Sequence, residues 1–234
     1  MKFWLRKPDD RILDSIESSQ SEIGFSYDAD AVKDGRIPTG YQVDFNYTCL
    51  GSGESVFRRA CVALEHWKQF SLPWLFVYPK RQKIESGKHV LIVAKSFGLW
   101  WGNACRIVCV SVEDSVRDAS DRLTQADPGI IVARHYGFTY GTLAMHAGTG
   151  EERFRVSMDE QGRVYFDIHA FSRPNHMLSR LGYPLMRNLQ RKFAIDSMAA
   201  MRKAIGASGS AEDQLQRCQS EVSQSEVSLV KQTW

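Results

Sequence analysis

The sequence predicts an α+β fold: a curved antiparallel sheet of about seven strands wrapped on a long C-terminal helix, with one helix after the first strand. Three observations predict it. A two-residue alternation starts at Tyr41 and gives way to one stretch of helical spacing. Six strand-like runs then follow with little helix between them, the pattern of antiparallel rather than parallel pairing. From Pro174 onward, large apolar residues recur near every fourth position, and so apolar a helix must cover a face of the sheet.

YQVDFNYTC places Val43, Phe45, Tyr47 and Cys49 on one side and Gln42, Asp44, Asn46 and Thr48 on the other, a half-buried strand. Gly51-Ser52-Gly53 breaks it. Glu54 to Phe70 carries the helical stripe Val56, Phe57, Ala60, Leu64, Trp67 and Phe70, which Pro73 ends. The strand-like runs are Trp74–Tyr78, His89–Ser96, Ala104–Val112, Ile130–Tyr140, Glu152–Met158 and Arg163–Phe171. Asp159 to Gly162 is a tight hairpin turn in which Gly162 supplies a positive φ. Asp114 to Pro128 is a charged excursion, read as a loop or a short surface helix. In the final helix Asn175 is a fair N-cap, and Leu178, Leu181, Leu185, Leu189, Phe193 and Ala200 form the stripe expected to meet the sheet. Pro184 predicts a kink or a fresh helix start there.

Before and after this body the composition changes. Residues 1–40 hold a short amphipathic helix, Asp9 to Ser18, and then the turn-rich FSYDADAVKDGRIPTG. They read as a strapping segment laid over the main domain, 41–205. Residues 206–234 are Ser/Gln-rich and nearly free of large apolar groups, so disorder is expected.

The chain's 234 residues suffice for one substantial core. No run approaches the ~20 apolar residues that span a bilayer, and the N-terminus lacks a signal core, so a cytoplasmic protein is expected. Five cysteines without CxxC spacing read as reduced thiols, with no metal role. Net charge is +3, with −2 on residues 206–234 and +5 on the rest. No basic helix interleaved with aromatics accompanies it, and nucleic acid is not the expected partner. Dinucleotide, Walker, GxSxG and HExxH signatures are lacking, and no cofactor is expected.

The polar residues with chemical potential gather around GTLAMHAGTGEERF. His146 titrates near neutrality without help. Glu151 and Glu152 are adjacent, so on a strand they point to opposite faces and only one can enter a cavity. One of them is read either as an acid–base group acting with His146 or as the partner of an arginine that pins the loop. Arg106, inside the apolar run ACRIVCV, needs a carboxylate or an edge, since an unpaired buried charge costs several kcal/mol. Glu151 or Glu152 is its natural partner. Its alternative role is to hold the acidic head of a ligand. Tyr140, Thr142, Trp67, Trp74, Phe171 and Arg173 complete the candidate ligand-binding set, although aromatics most often fill cores and Arg173 is read first as capping a loop carbonyl and only second as lining the cavity mouth. Trp100 and Trp101 are adjacent and cannot both face the core, so one belongs at a rim or under the N-terminal segment.

Several blocks together resemble a family. They are Leu50-Gly51 with Gly53, Phe57, Ala60, Ala63-Leu64, Trp67, Phe70 and Trp74; Asn103 to Val108; Gly137 to Leu143 with His146 and Gly150 to Phe154; and Phe171 to Pro174 with Gly182, Pro184 and Gln190. Over roughly residues 24 to 204 the chain looks like the domain-of-unknown-function family nineteen-ninety of bacteria and plants. Ala144-Met145 departs from the Leu-Pro pair expected before His146, and the Asp114–Ala133 segment is longer than usual. The resemblance implies a compact soluble domain and supplies no reaction, substrate or cofactor.

The element order also resembles the helix-grip arrangement of the lipid-transfer and polyketide-cyclase superfamily, in which a curved sheet wraps a long helix around a cavity. That superfamily has two short helices after its first strand; here the second would be a turn around Gln69–Pro73. A two-layer sandwich without a cavity is the alternative. The leading functional expectation is a module that binds a small, largely apolar molecule carrying an acidic or hydroxyl group. The alternatives are a hydrolase or cyclase using His146 with Glu151 or Glu152, and a scaffold without a ligand.

Overall fold

The computed structural model describes residues 2–20, 23–33, 37, 39–113, 132–144, 146–174 and 183–206. The chain runs β1 (Lys2–Trp4), α1 (Asp10–Ser18), α2 (Ala29–Lys33), β2 (Gln42–Ser52), α3 (Glu54–Glu65), a 3-10 turn (Lys68–Phe70), β3 (Leu75–Tyr78), β4 (His89–Ser96), β5 (Leu99–Glu113), β6 (Val132–Thr142), β7 (Gly148–Asp159), β8 (Arg163–Pro174) and α4 (Tyr183–Ala204). The strands form one curved antiparallel sheet in the order β2-β8-β7-β6-β5-β4-β3, with β1 added to β5. This is a helix-grip architecture, and the 3-10 turn stands close to the turn expected around Gln69–Pro73.

Local chemistry sets the junctions. β2 bulges between Cys49 and Gly51, and Gly51 and Gly53 hold φ of 127° and 89° where the strand turns into α3. The Gly53 amide donates to the Gly162 carbonyl at 2.8 Å, tying the start of α3 to the β7–β8 hairpin. That hairpin is organised by Asp159, whose Oδ1 accepts the Gln161 and Arg163 amides at 3.1 and 2.8 Å. Phe97 and Gly98 both adopt positive φ in the two-residue turn joining β4 to β5. The expected strand Ala104–Val112 therefore begins earlier, at Leu99, and runs the length of β5.

The sheet has two buried faces. Its inner face packs Ile107, Phe138, Phe154, Val156, Phe166 and Ile168 against α3, the 3-10 turn and α4. Its outer face is covered by the N-terminal segment. Leu13 and Ile16 of α1 sit on Tyr78, Leu91, Val93, Ala104 and Leu143, and Trp4 and Trp100 pack against the same cluster. Tyr27 and Val32 cover Phe171. Trp101 is half-buried beside Phe3, with ring centroids 5.6 Å apart.

Two expectations about faces need correcting or completing. The polar side of β2, not its apolar side, faces α4: Asp44 pairs with Arg187, and Arg202 donates to the Thr48 hydroxyl at 2.8 Å. Val43, Phe45, Tyr47 and Cys49 lie outward, registered with Phe171, His169, Asp167 and Tyr165. In α4, the stripe buried against the sheet is Ala194, Ser197, Met201 and Ile205, whereas Leu185 is 44% exposed and Leu189 half-buried. At about 100° per residue, a row of every fourth residue drifts about 40° at each step. Leu185, nine residues from Ala194, thus ends on about the opposite side of the helix. Leu178, Leu181 and Asn175 lie outside the described residues, as do the Asp114–Pro128 excursion and residues 207–234.

Met201→Ala should lower stability in urea denaturation by about 2–5 kcal/mol, while Leu185→Ala changes it by no more than about 0.5 kcal/mol. Equal losses would contradict this helix orientation.

Candidate functional site

β7 organises the site. Its even positions, Glu152, Phe154, Val156 and Met158, turn inward; its odd positions, Glu151, Arg153, Arg155, Ser157 and Asp159, turn outward. The two adjacent glutamates are thereby separated by the thickness of the sheet, and Glu151 cannot join Glu152 in one catalytic site.

On the inner face, Tyr140 of β6 donates its hydroxyl to Glu152 Oε2 at 2.5 Å. Burial pushes the Glu152 carboxyl up to about 7; the Tyr140 hydrogen bond partly offsets this, and the charge of Asp44 adds to it. Burial and the nearby Glu152 raise the Tyr140 phenol well above its ordinary value. Cys105 of β5, fully buried in the same neighbourhood, is likewise held as a neutral thiol. The Tyr140 ring is part of an aromatic cluster. Tyr140 and Phe154 have centroids 5.5 Å apart, Phe70 and Phe154 5.1 Å, and Phe70 and Phe193 of α4 5.2 Å.

From Glu152 toward the start of β7 the floor loses its large side chains. Glu152 is registered with Ala170, Gly150 with Ser172 and Gly148 with Pro174. Above this floor lies the first half of α4, where Gln190 donates to the Ser172 hydroxyl at 3.1 Å and Arg187 Nη2 donates to Asp44 Oδ1 at 2.5 Å. Burial changes along the helix. Ala194, Ser197, Met201 and Ile205 are buried, but Met186, Arg187 and Gln190 are half-buried, as are Asp44, Asn46, Glu152, Ala170 and Ser172 beneath them. Burial is thus complete at the far end of α4 and partial at its beginning.

His146 sits in the turn before β7, and its Nδ1 accepts the Gly148 amide at 3.0 Å. Burial pushes its imidazole down to about 4, so it is neutral at ordinary pH. A methyl group built on Gly148 would lie within 4 Å of both His146 Nδ1 and Met186 Cε, which puts His146 at the same end as the first turns of α4.

The remaining expected site residues distribute otherwise. Trp67 is core, donating to the Gln82 carbonyl at 2.7 Å and packing on Phe138. Trp74 is half-buried and ties the segment after the 3-10 turn to α4 through Asp196 Oδ2 at 2.7 Å. The Thr142 hydroxyl bonds both backbone groups of Gly150, accepting at 2.9 Å and donating at 3.1 Å, so it replaces a missing rung of the ladder. Three expected ligand residues face outward instead. Phe171 is buried under Tyr27 and Tyr41. Arg173 is exposed and lays its guanidinium over Tyr41 at 4.6 Å. Arg106 donates to His89 Nε2 at 2.8 Å and to the Ile23 carbonyl at 2.7 Å, and stacks on Phe25.

Arg106 does not pair with either glutamate for a geometric reason. It shares an outer row with Gly141 and Glu151, but the Tyr27 hydroxyl lies where a Cβ of residue 141 would be, 2.1 Å from that position, and donates to Glu151 Oε1 at 2.5 Å. Sequence reasoning missed the adjoining ion network, in which Arg153 Nη2 and Arg155 Nε share Asp167 at 3.1 and 2.9 Å. The three residues are 1%, 6% and 3% exposed. Among the described residues, no three His, Cys, Asp or Glu side chains gather as a metal site, and no helix is long and apolar enough to cross a membrane.

The position of Glu152 fixes a pH dependence. The unfolded chain ionises this carboxyl in the ordinary range near about 4.3, while the folded chain keeps its proton up to about 7. Below the ordinary value both states are protonated; between the two values the folded state becomes progressively less favoured, and above 7 the loss is complete. The stability of Glu152→Gln relative to wild type should therefore rise between about pH 5 and about pH 8 in urea titrations. A flat or falling difference, as a salt-bridged glutamate would give, contradicts this placement.

Comparison with known proteins finds relatives of similar sequence. A UPF0548 protein of Dictyostelium discoideum is 32% identical over 222 residues, covering 88% of this chain and 96% of its own. A UPF0548 protein of Arabidopsis thaliana is 32% identical over 191 residues, covering 82% and 84%. Among solved structures, Ara h 8.0201 aligns over 72% of this chain and all of its own, with a TM-score of 0.43 and 9% identity. The family described as Domain of unknown function (DUF1990) matches residues 17–200, and the chain belongs to that family.

Proposed function

We propose that this protein is a binding module that takes a small, largely apolar molecule into the recess between the inner face of β6, β7, β8 and β2 and the first half of α4. The supporting observation is the burial gradient along α4, with Ser197 and Met201 fully buried and Ala170, Ser172 and Glu152 only half-buried beneath its first half. Glu152 expresses the same geometry by itself. Enough protein encloses its carboxyl to raise it to about 7, yet the side chain is only half-buried. A group with those two properties borders a recess. An apolar, ring-lined interior with a few convergent polar groups is the usual make-up of a small-molecule site. Here the rings are Phe70, Tyr140, Phe154 and Phe193, and the polar groups are Glu152, Asp44, Arg187, Ser172 and Gln190.

The uncharged fluorophore N-phenyl-1-naphthylamine should bind one per chain with micromolar affinity, roughly −8 kcal/mol. Ala170→Trp, which fills the floor opposite Glu152, should abolish binding while the melting temperature stays within a few degrees, about 1 kcal/mol of stability. Undiminished binding in the folded variant, or no uptake by wild type, would overturn the assignment.

A further inference from the structure

The floor of this recess carries an unbalanced charge. Asp44 is clamped by Arg187 through two hydrogen bonds, and Arg202 reaches Thr48 further along the helix. Glu152 has no such partner: among the described residues its one polar contact is the Tyr140 hydroxyl at 2.5 Å. A carboxylate enclosed by protein is disfavoured unless a cation meets it. The Tyr140 ring that carries this hydroxyl belongs to an aromatic cluster with Phe70 and Phe193, and aromatic faces attract cations.

We infer that the recess selects ligands joining a basic nitrogen to an apolar body, with the ammonium group seated on Glu152 among these rings, and that it turns carboxylates away. The inference rests on the binding reading above and names the ligand class. An anionic head group would meet two carboxyls, Glu152 and Asp44, while Arg187 is already engaged by Asp44. The arginine that would otherwise have received an acidic head, Arg106, lies on the other side of the sheet. A neutral hydroxyl can hydrogen-bond to Glu152 but forms no ion pair with it. The account makes binding of the amine pH-dependent through Glu152. Among the described residues, the other titratable or charged groups toward it are Cys105 on β5 and Tyr140 on β6, both neutral, Asp44 on β2 fixed to Arg187 of α4, and His146 at the rim, also neutral. An alkylammonium keeps its charge over the whole range, titrating near about 10.4.

The test uses the full chain and three probes with one tail, octylamine, 1-octanol and octanoate, each displacing N-phenyl-1-naphthylamine. At about pH 8 octylamine should bind at least about tenfold more tightly than octanol, with octanoate weakest, and its lead should shrink by about pH 5.5 as Glu152 gains its proton. In Glu152→Gln the amine should fall to the level of the alcohol. Octanoate binding as well as octylamine, an amine preference unchanged in the variant, or one insensitive to pH in wild type would each overturn the inference while leaving the binding reading intact. Failure of all three probes to displace the fluorophore would overturn that reading as well. Should the variant not fold, the wild-type pH series decides.

Discussion

Strand β7 alternates, and that alternation decides what the interior contains. Because successive side chains leave a strand on opposite faces, the Glu151-Glu152 pair is split into one outward and one inward carboxyl. The outward one is taken by the Tyr27 hydroxyl and anchors the N-terminal segment. The inward one has a phenol for company and, among the described residues, no cation. A slip of one residue in the register of β7 would exchange these fates and drive Arg153 and Arg155 into the apolar core. Registers on both sides prevent it, with Phe154 set between Phe138 of β6 and Ile168 of β8.

The sheet is consequently buried twice, by different means. Its inner face has α3, the 3-10 turn and α4 over an aromatic core. Its outer face, on β7 and β8, is a buried polar layer in which two arginines share Asp167. The N-terminal segment closes part of that face with both backbone and side chains. Phe25 bridges to Leu143, the Ser26 amide donates to the Thr142 carbonyl at 2.9 Å, and the Ser26 and Thr149 hydroxyls meet at 2.8 Å. Gly141 makes this possible, since any side chain there would meet Tyr27 and Phe25. The outer layer thus holds the N-terminal segment on the frame.

The order of elements, the hairpin at Asp159–Gly162 and the opposed directions of Glu151 and Glu152 could be read from the sequence, because each rests on local periodicity or on a turn residue. The orientation of α4 could not be read in the same way. Leucines at every fourth position look like one stripe, yet the 3.6-residue turn carries Leu185 about halfway round the helix from Ala194. Two small residues, Ala194 and Ser197, take the place against the sheet instead. Nor could the surroundings of Arg106 be read. Its partners, His89 and the Ile23 carbonyl, are brought to it by pairing with β4 and by the N-terminal segment, over sequence distances that no periodicity encodes. The polar residues of β2 posed the same difficulty: alternation showed that Asp44, Asn46 and Thr48 share a face, but only Arg187 and Arg202 reveal that this face looks toward the helix.

One carboxyl stands at the centre of this structure, enclosed beneath α4 and, among the described residues, without a countercharge. Its ionisation can be followed directly by carbon-13 NMR titration of the Glu152 carboxyl in the unliganded protein, assigned by comparison with Glu152→Gln. A midpoint near 7 is predicted. A midpoint in the ordinary glutamate range, near about 4.3, would place this group in free solvent or beside a cation and contradict the recess built around it.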